Sequence, residues 1–379
     1  MKEKIGIITY HAAYNFGSQL QAFATQRIIT ELGYDNDIIN YRLPNQIHYY
    51  GDLVTTRFGW QVFIKRSLWF SETKQRKIRA KRYENFINTK FQLGNQTFHT
   101  YEELQNADLD YSILLVGSDQ VWNEHCVAEF WTEPPQSIRG YFLDFENNKD
   151  IKRIAFSSSI GAMTEYEISK YLPQLSKFQS ISVREKETAD LLSRLLDRNV
   201  INTIDPTLML NREEWCNELL SDVPDEPEKN YVLLYTLLKN PVKAIRFEKQ
   251  VKAFAKERQV ICLSPFIGTH IPGIIVRNDA GPIEFLQLLK NADCVVTDSF
   301  HGTAFSVNFG KPFYSINPNN KDKRKSQLLD RVGLGSQFIT DQEKLLSLPI
   351  PDIDFSIPHL RLAALREESL NYLKSALAE

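Results

Sequence analysis

Cysteine is scarce and scattered: Cys126, Cys216, Cys262 and Cys294 are the four in 379 residues. They form no C-x-x-C pair and no Cys/His cluster along the chain, so neither a zinc motif nor a disulfide framework is indicated, and a reducing cytoplasm is the expected compartment. An excess of either charge is missing too. Lys and Arg number 45 against 47 Asp and Glu, a formal net charge of −2, which offers nucleic acid no bulk electrostatic handle. No apolar run approaches the roughly 20 residues that span a bilayer. The apolar stretch within Met1–Tyr10 is too short for a signal peptide. The loop at Gly17 is not G-x-G-x-x-G and has no Walker lysine, so neither a dinucleotide nor a P-loop nucleotide is expected. There is no fixed-period repeat and no low-complexity tract. What is present is an ordinary soluble composition, 42% hydrophobic and 24% charged, over a length that suits two domains. The 23 Phe, 16 Tyr and 5 Trp suit a sugar-binding face as well as a large core.

Short β-branched runs alternate with helical periods. They predict strands over Lys4–Tyr10, Asp37–Tyr41, Tyr111–Val116, Ile154–Phe156, Ser180–Val183, Val232–Tyr235, Val260–Leu263, Cys294–Thr297 and Pro312–Ile316. The intervening periods predict helices, among them Gly17–Leu32, Glu165–Phe178, Glu185–Leu196, Val242–Arg258 and Pro282–Asn291. The expected class is α/β, with two Rossmann-like domains over 1–210 and 211–355, a cleft between them, and a C-terminal helix over 356–379. Charged, proline-bearing Asp222–Lys229 reads as the linker. A helical insertion over about 45–110 breaks the rhythm. Within it Gln61–Phe91 carries Lys65, Arg66, Lys74, Arg76, Lys77, Arg79, Lys81 and Arg82. A solvated face is the plain reading. Contact with an anionic membrane surface or a lipid-phosphate-linked substrate is the sharper one, because Trp60, Phe63, Leu68, Trp69 and Phe70 precede the densest charge.

In parallel sheets ligands gather at the carboxyl ends of strands, where helix N-termini favour anions. The stretch Asp293–Ile316 reads as strand, polar turn, short helix over Ala304–Asn308, and strand. Its turn collects Asp298, Ser299, His301, Gly302 and Thr303. His301 there can share a proton with a bound anion, and Gly302 leaves the backbone bare for a ligand. The alternative is local: Asp298 and Ser299 cap the helix and Thr303 bonds nearby backbone. In the first half, Asn15, Gly17, Ser18 and Gln19 offer polar contacts after the first strand. Gly117-Ser-Asp-Gln-Val-Trp-Asn123 places Ser118, Asp119 and Gln120 at a strand end, with Asp119 a general base, a sugar-hydroxyl acceptor or an Asx turn. Ser157-Ser-Ser-Ile-Gly161 adds Ser158. Arg184, between a strand end and a helix, can clamp an anion, or pair with Glu185 or Glu187. Arg324, Lys311 and Lys323 are further cations near helix ends.

Taken together, these motifs resemble the polysaccharide pyruvyl transferase family. The series runs through Asn15-Phe-Gly-Ser-Gln-Leu-Gln-Ala22, Gly117–Asn123, Ser157–Gly161, Ser182-Val-Arg-Glu185, Asp205-Pro-Thr-Leu208, Thr297-Asp-Ser-Phe-His-Gly302 and Arg324 to Leu334. It covers nearly the whole chain. The resemblance implies a fold similar to GT-B glycosyltransferases and transfer of the enolpyruvyl group of phosphoenolpyruvate to a sugar, with release of phosphate and formation of a pyruvate ketal. Its acceptor would be a sugar or lipid-linked saccharide of an exopolysaccharide or capsule, with peripheral membrane contact at the inner face. Characterised relatives carry Arg-Leu-His where this chain has Ser299-Phe300-His301, so other cations must supply that arginine's donor contacts, or the donor differs. The chemistry needs an acid, a base and fixed positive charge. His301 fits the acid and Asp119 the base. Arg184, Arg324, Lys311 and Lys323, with Ser299, Gly302 and Thr303, fit the donor anion. Asn15, Gly17, Ser18, Gln19, Ser118, Gln120 and Ser158 fit the acceptor side. No metal or organic cofactor is expected. A sugar-nucleotide glycosyltransferase and a non-catalytic carbohydrate-binding protein are the competing readings.

Overall fold

The apolar runs of the sequence become strands that pair in parallel and build two sheets. The computed structural model describes residues 4–51, 70–145, 151–224, 230–265, 270–317 and 323–378. Two units divide the chain: unit 1 holds residues 1–50, 87–209 and 363–379, and unit 2 holds residues 51–86 and 210–362.

Unit 1 contains β1 (Lys4–Ile8), β2 (Asp35–Tyr41), β3 (Leu93–Phe98), β4 (Ile113–Val116), β5 (Lys152–Ser158), β6 (Ser180–Val183) and β7 (Ile201–Asn202). Their order is β3-β2-β1-β4-β5-β6-β7. Unit 2 contains β8 (Tyr231–Tyr235), β9 (Gln259–Leu263), β10 (Ile275–Val276), β11 (Cys294–Thr297), β12 (Phe313–Ile316) and β13 (Phe338–Ile339). Their order is β10-β9-β8-β11-β12-β13. Both are doubly wound. The strand order reverses between β1 and β4 in one sheet and between β8 and β11 in the other, and such switch points are where open α/β sheets bind ligands. Register fixes these central pairs, with Ile7 beside Leu115 and Val296 beside Leu234. Helices cover both faces, which is why the central strands are apolar on both sides and fully buried.

Several elements differ from the sequence expectation. The strand β3 (LGNQTF) was hidden inside the expected insertion. It is a sheet edge with Asn95, Gln96 and Thr97 exposed, so it shows no apolar run. The single helix expected over Glu165–Phe178 is two, Glu165–Ser169 and Leu172–Leu175, with Pro173 opening the second. The last helix, Ser356–Ala378, belongs to unit 2 up to Leu362 and to unit 1 from Ala363.

Residues 51–86 group with unit 2, not with the N-terminal domain that sequence order suggests. The described part is Gly51 and the start of the helix Phe70–Lys90. Arg82 explains the grouping: its guanidinium pairs with Asp279 at 2.5 Å and Glu284 at 2.9 Å. Arg79 is buried and donates to the Pro265 carbonyl. These two arginines are therefore tertiary contacts, while Lys74, Lys77 and Lys81 are exposed as a solvated face requires. Trp60, Phe63, Lys65, Arg66, Leu68 and Trp69 lie outside the described residues, as does most of the expected linker. Among the described residues no helix is long and apolar enough to cross a membrane.

Candidate functional site

In unit 1 the carboxyl edge of the sheet gathers most of the polar residues singled out from the sequence. Gly117 to Asp119 follow β4, and Asp119 takes a left-handed backbone with φ 77°, a conformation that costs a non-glycine residue and recurs at functional sites. Its Oδ2 accepts the Ser18 hydroxyl at 2.6 Å and its Oδ1 the Gln120 N–H at 2.8 Å. Ser18 reaches it from the first turn of the helix Phe16–Glu31, whose N-cap Asn15 accepts the Ser18 N–H. Gly17 is thus the second residue of this helix, not part of a loop. Gln19 is fully buried, and neither its Nε2 nor its Oε1 has a hydrogen-bond partner among the described residues. Gln120 is spent locally, its Oε1 accepting Asn123 Nδ2 at 2.9 Å.

The serines continue the network inward. Ser118 Oγ donates to the Ser157 carbonyl and to Asp205 Oδ2 at 3.0 Å, and Ser158 Oγ donates to the Gly117 carbonyl. Both serines are fully buried and hold strand ends together, a structural task where acceptor contact was expected. Ser159, next along, connects Asp119 to Glu185. Its N–H donates to the Asp119 carbonyl and its hydroxyl to Glu185 Oε1 at 2.7 Å.

Arg184 does not sit as an open anion clamp. Its side chain is 3% exposed, Nη1 donates to Asp205 Oδ2 at 2.6 Å, and Nε lies 3.4 Å from Glu185 Oε1. Asp205 also accepts the Thr207 N–H and hydroxyl. With Asp205 and Glu185 both against it, the guanidinium's charge is already engaged. The expectation of pairing with Glu185 is met; Asp205, 21 positions away, is the partner that local pattern could not name.

In unit 2 the turn after β11 is shorter than expected, because the following helix starts early and spans Phe300–Phe309. Ser299 is its N-cap and accepts the Gly302 N–H. His301 therefore lies in the first helical turn, where the macrodipole favours anions. It is 8% exposed and packs edge-on against Phe300, ring centroids 5.3 Å apart. The Arg324 guanidinium, at the start of the helix Lys323–Val332, lies over the same Phe300 ring at 5.8 Å. Lys323, beside it, is exposed. Phe300 thus touches both the His301 imidazole and the Arg324 guanidinium, a role the sequence did not advertise.

Asp298 and Lys325 shape this edge. Asp298 accepts the Leu237 N–H at 2.7 Å and the Thr236 hydroxyl at 2.9 Å, bridging the ends of β8 and β11. Burial pushes its carboxyl above the ordinary value, while the Leu237 hydrogen bond and the Lys325 charge pull the other way. Lys325 is buried and donates to the carbonyls of Asp298 and Ile316, each at 2.7 Å. Thr303 is fully buried against Ser299 and Ser315 and is structural, not a donor contact. Lys311 lies elsewhere. It follows the far end of the helix, donates to the Lys290 carbonyl and neighbours Asp293, so it lies at the amino edge of the sheet, away from His301. Burial lowers its ammonium group's pKa.

Gly302 is required for a reason other than ligand approach. A Cβ there would collide with Thr297 Oγ1, and that hydroxyl is already fixed by the Tyr235 carbonyl and the Ser299 N–H. Gly302→Ala should destabilise unit 2 by about 1–3 kcal/mol through overpacking. A urea midpoint equal to wild type would show instead that the helix start can shift off Thr297.

The model for polysaccharide pyruvyl transferases matches residues 15–320. None of the curated proteins matches the chain. Among solved structures, the S. aureus MnaA–UDP co-structure is 12% identical, with a TM-score of 0.52 over 99% of this chain and 97% of that one. A UDP-N-acetylglucosamine 2-epimerase from Rickettsia bellii is 10% identical, with a TM-score of 0.50 over 99% and 97%. At such identities the likeness is one of fold: α/β, with two Rossmann-like parallel sheets.

Proposed function

The chain belongs to the polysaccharide pyruvyl transferase family, and on that footing we propose that it moves the enolpyruvyl group of phosphoenolpyruvate onto a sugar of a surface polysaccharide or its precursor. The family is one of transferases, so an enzyme that modifies polysaccharide is the premise; the donor and the ketal product are the proposal. The observation that carries it is His301 in the first turn of the helix Phe300–Phe309, with Arg324 over the adjoining Phe300 ring. A proton donor, a helix N-terminus and a guanidinium answer the needs of a phosphorylated enol.

In this reading His301 protonates the methylene carbon of phosphoenolpyruvate, leaving an oxocarbenium-like centre at the phosphate-bearing carbon. A sugar hydroxyl adds there and gives its proton to a base, for which Asp119 is the candidate. Inorganic phosphate then departs with the electrons of its C–O bond, and a second hydroxyl of the same sugar adds to the oxocarbenium-like centre so formed and loses its proton. The donor contacts fall to Arg324, Lys323 and the helix N–H groups, since Arg184 is neutralised by Asp205 and Glu185. The buried amide of Gln19 and the unpartnered Glu185 Oε2 are suited to bonding sugar hydroxyls.

Mixing the protein with phosphoenolpyruvate and a panel of sugars should release phosphate only where a sugar with two suitably spaced hydroxyls is present. A second reading, transfer from a sugar nucleotide, draws on the fold shared with S. aureus MnaA, which was solved with UDP. UDP and UDP-sugars should leave phosphoenolpyruvate binding unchanged in calorimetry. Competitive displacement by a UDP-sugar, with no phosphate released from phosphoenolpyruvate, would favour that second reading.

A further inference from the structure

Unit 2 holds a second constellation that uses none of the residues above. Glu248, in the helix Pro241–Ala255, is 1% exposed among Ala244, Phe247 and Val251. A carboxylate in such a layer is costly without strong partners. Its Oε1 is 2.5 Å from His270 Nδ1 and 4.0 Å from Cys262 Sγ, and its Oε2 accepts the Ile271 N–H at 3.0 Å. Cys262 is the fourth residue of β9 and fully buried. The ligand-capable atoms of Glu248, Cys262 and His270 all lie within 4.8 Å of one another.

We propose that Glu248, Cys262 and His270 form a binding site for a thiophilic divalent cation, with Zn²⁺ the best fit. Thiolate, imidazole and carboxylate together match zinc, whereas magnesium and calcium want oxygen alone. Metal–ligand bonds of about 2.0–2.3 Å place tetrahedral ligand atoms roughly 3–4 Å apart. The Sγ–Oε1 separation meets that already. The closer imidazole–carboxylate pair opens as the ion takes the place of the proton they share, which moves to the imidazole Nε2. Without an ion, burial and the neighbouring Glu248 and Asp298 charges hold the Cys262 thiol well above its ordinary pKa, so binding displaces the thiol proton to solvent as the S–Zn bond forms. Three protein ligands leave the fourth position for water. An imidazole–carboxylate latch alone would explain His270 and Glu248, but it gives no role to a thiol aimed at the same carboxylate oxygen.

Cobalt(II) is the probe. Titrating the metal-free full chain should give a thiolate-to-cobalt charge-transfer band and tetrahedral d–d bands, saturating at one ion per chain and bleached by Zn²⁺. Cys262→Ser should abolish the charge-transfer band, whereas Cys294→Ser, which changes a buried thiol at the amino end of β11, should keep it. His270→Ala changes a partly buried residue and so tests the site if Cys262→Ser fails to fold. It should weaken cobalt binding at least tenfold and remove the rise in Tm that Zn²⁺ gives the wild type. No charge-transfer band in the wild type, a band that survives Cys262→Ser, or unchanged cobalt affinity in His270→Ala overturns the proposal.

Discussion

His301→Ala should lower turnover by about two to four orders of magnitude at saturating phosphoenolpyruvate, the usual loss on removing a general acid. The expectation rests on where the structure puts the imidazole: inside the first turn of the helix Phe300–Phe309, capped by Ser299, beside the ring that Arg324 covers. In the proposed mechanism the helix N-terminus and the guanidinium hold the donor's anionic groups, so binding should fall far less than turnover. His301→Gln keeps an N–H for the phosphate but cannot donate the proton. It should preserve donor affinity and remain slow. The helix start keeps its own cap, because Ser299 and Thr297 hold the backbone there. Calorimetry and turnover measured side by side separate the roles. A variant that turns over normally places the acid elsewhere. A variant that loses affinity alone makes His301 a phosphate ligand.

Arg184→Ala should destabilise the protein by about 3–5 kcal/mol, the cost of breaking a buried ion pair by removing one partner. The guanidinium is 3% exposed and Asp205 is 0% exposed. Removing the cation takes away the charge that faces that carboxylate, which Ser118 and Thr207 also hold. Arg184→Lys should recover part of the loss, since a point charge cannot contact both carboxylates as a planar fork does. Whatever fraction folds should bind phosphoenolpyruvate as the wild type does. Wild-type stability combined with a large loss of donor affinity would return Arg184 to the anion-clamp role that its position after β6 suggests.

These two residues show what the sequence made legible. Buried parallel strands announce themselves, so Cys294–Thr297 and Ser180–Val183 have the bounds that their β-branched runs predict. The turns that follow such strands are where polar residues matter, and His301, Asp119 and Ser18 do lie at carboxyl edges. Partners were the illegible part. Arg184 has acidic neighbours at 185 and 187, yet it pairs at 2.6 Å with Asp205, brought alongside by the chain's return through β7. Gly302 looked like a ligand approach and is a packing constraint set by Thr297. Lys311 is near His301 in sequence, but the length of a helix separates them. Glu248, Cys262 and His270 are spaced too widely for any metal motif, and only the packing of the helix Pro241–Ala255 on β9 collects them.

The most direct measurement is of the product itself. Wild-type protein, phosphoenolpyruvate and the sugar that supports phosphate release are combined in D₂O, and the saccharide is read by NMR and mass spectrometry. Protonation of the methylene carbon predicts a pyruvate ketal whose methyl group carries a single solvent deuterium, formed in step with inorganic phosphate and lost in His301→Ala. A saccharide extended by a sugar unit from UDP-sugar, with phosphoenolpyruvate left intact, would contradict the account.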